Sequence, residues 1–102
     1  MAYMLRFVQR FQPAQRDAFL TLERQFAALE QAVAEYPKGR RYIPYSGREP
    51  VNTLVWECEF PSFAEAQEAL AFLEKDERHE ELYRQQVGFF LEAYTEMYEV
   101  FD

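Results

Sequence analysis

The stretch Asn52–Gln67, NTLVWECEFPSFAEAQ, most constrains what this chain can fold into. Leu54, Trp56, Cys58 and Phe60 alternate with Thr53, Val55, Glu57 and Glu59, the period-two pattern of a strand with two different faces. Pro61 has no amide hydrogen to give to a ladder, so pairing is expected to stop there. Ser62 with Glu65 three residues on is a capping box, and Ala66, Leu70 and Leu73 follow at helical spacing. A strand therefore feeds directly into a capped helix.

The remaining elements arrange themselves around that unit. Tyr3–Phe11 alternates as a strand, with Leu5, Phe7 and Phe11 on one face and Met4, Arg6, Val8 and Arg10 on the other. Gln9 is the exception on the apolar face. Pro13 ends this strand, and a helix is predicted from near Gln15 to Glu35, with Phe19, Leu22, Phe26, Leu29 and Val33 as its apolar stripe. Glu23 and Glu30 fall outside that stripe and are expected on the other sides of the helix. Tyr36-Pro37-Lys38-Gly39 breaks the helix. Arg40–Tyr45 reads as an edge strand because Pro44 lies within it. After the helix that runs to about Lys75, Asp76–His79 marks a break, and a second helical run is expected from Glu80 to about Phe90. Ala93–Phe101 is predicted as the last strand, with a continuing helix as the competing assignment.

The order is β-α-β-β-α-β in a single domain spanning residues 1–102. This is an α+β, ferredoxin-like fold: a four-stranded antiparallel sheet with the first and third strands in the centre and the helices on one face. The second sheet face then carries Met4, Arg6, Val8 and Arg10 beside Val55, Glu57 and Glu59. Arginines face carboxylates across the strands, with apolar residues between them. Ten Phe, seven Tyr and one Trp are more large apolar surface than one small core needs, so this face is expected to meet a second copy in a homodimer.

Charge narrows the partners. The net charge is −7, and it is uneven: residues 1–50 hold 8 Lys/Arg against 5 Asp/Glu, residues 51–102 hold 3 against 13. An acidic chain is a poor match for nucleic acid or an anionic membrane. Lys38, Arg40, Arg41 and Arg48 form one basic patch, expected to meet the acidic half of a partner subunit. The segment MAYMLRFVQRF has two arginines where a signal peptide has its apolar core, and no stretch has the roughly 20 apolar residues of a membrane span. Cys58 has no second cysteine to pair with, which suits a reducing, cytoplasmic setting.

No glycine-rich phosphate loop or nucleophile motif is present, and one histidine with scattered carboxylates does not make a metal site, so neither cofactor nor metal is expected. The candidate chemistry rests on His79, a base suited to neutral pH, with Tyr83 four residues on and on the same helix face. Trp56 is a candidate wall of a pocket between sheet and helices, with Tyr42 and Tyr83 as further lining. Glu57 and Glu59 are read as structural ion-pair partners of Arg6 and Arg10.

With the segment LVWECEFPSFAEAQEALAFLEKDERHEELYRQQ as its most telling part, nearly the whole chain resembles the dimeric α+β barrel superfamily, including NIPSNAP-like proteins and antibiotic-biosynthesis-type monooxygenases. The resemblance implies a homodimer and a ligand pocket between sheet and helices. It implies binding or handling of a small organic molecule, or cofactor-independent oxygenation of an aromatic substrate with His79 as proton acceptor. Haem-degrading members carry an Asn on the first strand; this chain has Arg6 and Phe7 there. A structural or interaction role without a pocket is the remaining alternative.

Overall fold

Residues 1–101 are described by a computed structural model. Four strands form one antiparallel sheet: β1 (Tyr3–Phe11), β2 (Arg40–Tyr42), β3 (Thr53–Phe60) and β4 (Phe90–Glu99). Their order across the sheet is β2-β3-β1-β4, with β1 and β3 in the centre. Three helices complete the fold: α1 (Arg16–Ala32), α2 (Phe63–Lys75) and α3 (Glu77–Gln86).

The register confirms the two faces. Leu5, Phe7 and Gln9 of β1 stand opposite Cys58, Trp56 and Leu54 of β3 and opposite Met97, Thr95 and Ala93 of β4. Helices cover this face. Phe11 stacks on Phe19 of α1 at 4.6 Å, Phe19 meets Phe90 edge-on, and Tyr3 meets Phe63 of α2. Phe11 and Phe19 are fully buried, each worth roughly 1.5–3 kcal/mol in apolar surface removed from water. The opposite face pairs Arg6 with Glu57 and Glu96, Met4 with Glu59 and Tyr98, and Val8 with Val55 and Tyr94.

Local chemistry sets the helix ends. Ser62 Oγ accepts from Glu65 N at 3.2 Å and donates to the Glu65 carboxylate at 3.0 Å. Asp76 ends α2 and starts α3, accepting from the backbone of Arg78 and His79. That cap starts α3 three residues earlier than expected, at Glu77, and α3 ends at Gln86 in a turn of 3-10 helix, Val87–Phe89. The final strand accordingly begins at Phe90. Helix α1 stops at Ala32 rather than Glu35, because Val33 is already extended and Tyr36 turns inward to be buried. Its hydroxyl donates to Asp76, tying the end of α1 to the α2–α3 junction. Strand β2 ends at Tyr42, before the Pro44 that the wider assignment included.

The connector 43–52 returns from β2 to β3. Its Glu49 accepts from Tyr94 Oη at 2.7 Å, so the connector lies against the open sheet face. Val8 and Val55, expected on an exposed dimer surface, are buried within the single chain. Arg10 pairs with Glu92 of β4 at 3.6 Å instead of Glu59, since the register sets Arg10 opposite Thr53. Among the described residues no helix is long and apolar enough to cross a membrane.

Candidate functional site

A cavity of about 390 Å³ lies between the sheet and the helices. Its floor is Phe7 and Gln9 of β1, Trp56 of β3 and Ala93 and Thr95 of β4. Its roof is Phe26 and Leu29 of α1 with His79 and Tyr83 of α3. The sequence of β4 explains the space: Ala93 and Thr95 are small, stand on the helix-facing side and remain exposed. The cavity is therefore most open on the β4 side, where these small side chains stay exposed. A shallower depression of about 670 Å³ runs between outward residues of α1 and α3, including Ala28, Ala32, Glu81 and Leu82. It has no sheet floor and few groups to orient a ligand.

Part of the cavity lining is a polar cluster that helical periodicity did not reveal. Glu23 and Glu30 are buried, each 7% exposed, against the expectation that they face outward. They are seven residues apart, two turns of helix, and flank the Phe26 stripe. Arg41 of β2 stands opposite Trp56 and therefore points to the helices. Its Nε donates to Glu23 at 2.7 Å and its Nη2 to Glu30. Arg41 is thus spent inside its own chain and does not belong to a surface basic patch. Burial opposes its charge, but the Glu30 and Glu23 carboxylates outweigh burial and raise its pKa.

The other donors complete the cluster. Glu30 Oε1 accepts from Trp56 Nε1 at 3.3 Å and from Gly39 N at 3.1 Å. Gly39 is required there: a Cβ would stand 2.1 Å from the Trp56 ring. Trp56 stacks on Phe7 with centroids 4.9 Å apart, so its orientation is set on both sides. Glu23 Oε1 accepts from Gln86 Nε2 at 2.9 Å. Gln86 is fully buried, and its Oε1 has no partner among the described residues.

His79 sits in the first turn of α3, its backbone N bonded to Asp76 and its ring 5.0 Å from that of Phe26. Burial lowers its pKa, while Asp76, Glu80 and Glu30 pull it back up. The ring therefore favours its neutral form and borders the cavity. Trp56 and Tyr83 border it too; Tyr42 does not. Tyr42 stands opposite Val55 and points to the open face, because alternation along β2 gives the inward place to Arg41. Cys58 is a free, half-buried thiol whose pKa is raised by burial and by Glu30, which makes it a poor nucleophile.

On the open face Arg6 lies 3.1 Å from Glu57 and 3.5 Å from Glu96. Met4 and Tyr98 flank it, the latter with its ring 5.9 Å from the guanidinium. Glu59 is exposed at the end of β3.

No family model matches the chain, and no curated protein matches it either. Solved structures do. The chain has the ferredoxin-like α+β fold, shared with proteins of the NIPSNAP type. A NIPSNAP family protein from Agrobacterium tumefaciens str. C58 superposes with a TM-score of 0.80 at 14% identity, over 100% of this chain and 95% of that one. An uncharacterized NIPSNAP domain protein from Burkholderia xenovorans gives 0.75 at 16% identity, over 98% and 94%. A putative antibiotic biosynthesis monooxygenase from Nitrosomonas europaea gives 0.65 at 10% identity, over 95% and 88%. The resemblance drawn from the sequence holds at the level of the fold.

Proposed function

We propose that this chain binds a small, largely apolar organic molecule between its sheet and helices. The cavity carries the proposal: at about 390 Å³ it lies in the size range of small-molecule sites and combines aromatic walls with a few polar groups. A role without a pocket rested on a filled core around Trp56, and Trp56 instead borders this space. The test is native mass spectrometry of protein purified from cells, paired with Ala93→Phe. A co-purifying small molecule that Ala93→Phe displaces supports the proposal. An empty protein, with a melting temperature unmoved by any of a panel of bicyclic aromatics, sinks it.

The functional unit we propose is a homodimer joined through the open sheet face. Met4 and Tyr98 lie side by side there, and Arg6 with Glu57 and Glu96 forms a self-complementary charge pattern. Sedimentation at twice the 12.2 kDa subunit mass is the expected result, reverting to one subunit in Met4→Arg/Tyr98→Asp. Sedimentation of the unmodified chain at one subunit mass removes it.

One observation favours a catalytic variant: His79 borders the cavity with its neutral form stabilised. The corresponding activity is cofactor-independent oxygenation of an aromatic substrate, with His79 taking a phenolic proton. The likeness to the putative monooxygenase from Nitrosomonas europaea supports that variant. Dioxygen uptake with a dihydroxynaphthalene, equal in wild type and His79→Ala, would remove it.

A further inference from the structure

We infer that the cavity selects an arylalkylamine in its protonated form and rejects aromatic carboxylates. The inference rests on the ligand-binding proposal above. Its first support is the charge of the lining. Glu23, Glu30, Glu74 and Glu80 border the cavity, and Arg41 is the one guanidinium or ammonium among the described lining residues. Arg41 is already held by Glu23 and Glu30, so an incoming carboxylate finds no free cation. Glu23 and Glu30 together exceed Arg41 by one negative charge, and they are nearly buried, where that field is weakly screened by salt.

The second support is independent of charge. Gln86 borders the cavity fully buried, and its carbonyl Oε1 accepts from nothing among the described residues. An unmet buried acceptor calls for a donor, and an ammonium supplies three. Gln9 adds a second amide on the floor, interrupting the apolar run of Leu5, Phe7 and Phe11 along β1. The third support is the aromatic wall. Phe7, Trp56, Phe26 and Tyr83 surround the space, and ring faces attract cations and aromatic groups alike. The neutral form favoured by His79 adds no positive charge against such a ligand. Glu74 and Glu80 are the more exposed of the four carboxylates and add negative charge to the lining.

The test titrates three probes that share one ring system: 1-naphthylmethylamine, 1-naphthalenemethanol and 1-naphthoate. Trp56 is the sole tryptophan and borders the cavity, so quenching of its emission reports occupancy directly. At neutral pH the expected order is amine, then alcohol, then carboxylate, with the amine at least about tenfold tighter than the carboxylate. Glu74→Gln/Glu80→Gln should weaken the amine roughly threefold to tenfold and leave the alcohol unchanged. Both positions are at least partly exposed and lie outside the Arg41 cluster, so the fold should tolerate the change. Equal affinity for all three probes, or a carboxylate that binds best, overturns the inference while leaving the binding proposal standing. Saturable binding of none of them, with Trp56 emission unchanged, overturns both.

Discussion

Arg6 and Arg41 lie on opposite faces of the same sheet, and each is flanked by two glutamates. Arg6 and its partners keep 28%, 26% and 32% of their side-chain surface in water. Arg41 keeps 20%, and its two glutamates 9% each. The geometry follows the burial. Arg6 Nε lies near Glu57 without pointing its N–H at that oxygen, whereas Arg41 Nε donates squarely to Glu23. Arg6 Nε is covered, but the rest of its side chain and both its glutamates still reach water. In the nearly buried cluster beside the cavity each charged oxygen must find its donor within the protein, because desolvation has already cost several kcal/mol per ion.

That comparison predicts unequal losses. The largest belongs to Arg41→Met, which strands two buried carboxylates: about 3–5 kcal/mol in urea unfolding at neutral pH. A loss under ~1 kcal/mol would show that water reaches the cluster freely. Next comes Gly39→Ala, which pushes a methyl into the Trp56 ring. It should lower stability by roughly 1–3 kcal/mol and shift the Trp56 emission, and a neutral effect would mean the 37–40 turn yields easily.

A smaller effect is read with pH. Tyr36 is pushed up to about 12 from 10.0, by burial first and then by its bond to Asp76. Because the folded value is the higher one, this stabilisation is fully present below pH 10 and is lost as pH rises towards 12. Tyr36→Phe should flatten the alkaline limb of a melting-temperature profile, at a scale of about 2 kcal/mol or less. An identical limb in that variant would exclude Tyr36 as its source. The smallest loss belongs to Arg6→Met, under ~1 kcal/mol and shrinking further with added salt. A large, salt-insensitive loss would place Arg6 in a desolvated interface and favour the proposed homodimer.

Much of the fold was legible because its signals are local. Alternation in Tyr3–Phe11 and Thr53–Phe60 assigned both central strands and their faces, and Ser62 and Pro61 marked the strand-to-helix turn. His79, Trp56 and Tyr83 were named from residue type and spacing, and all three border the cavity. Tyr42 was misplaced because β2 is short, and a long connector joins it to β3. Its parity relative to Trp56 is set by tertiary pairing. Gln9 stood out in the sequence as an interruption of an apolar face, and it lies on the cavity floor.

Glu23 and Glu30 mark the boundary between the two levels. Hydrophobic periodicity assigns any glutamate beside an apolar stripe to solvent, and only a partner distant in the chain can reverse that assignment. Arg41, Trp56, Gly39 and Gln86 supply the reversal from three separate segments. The sequence by itself determined the two central strands, both ends of α2 and the two faces of the Thr53–Phe60 strand, because dihedral preference, capping and alternation act within a few residues. The tertiary structure decided that one face holds a cavity backed by buried charge. A carboxylate stays in an interior only where folding brings its donors to it.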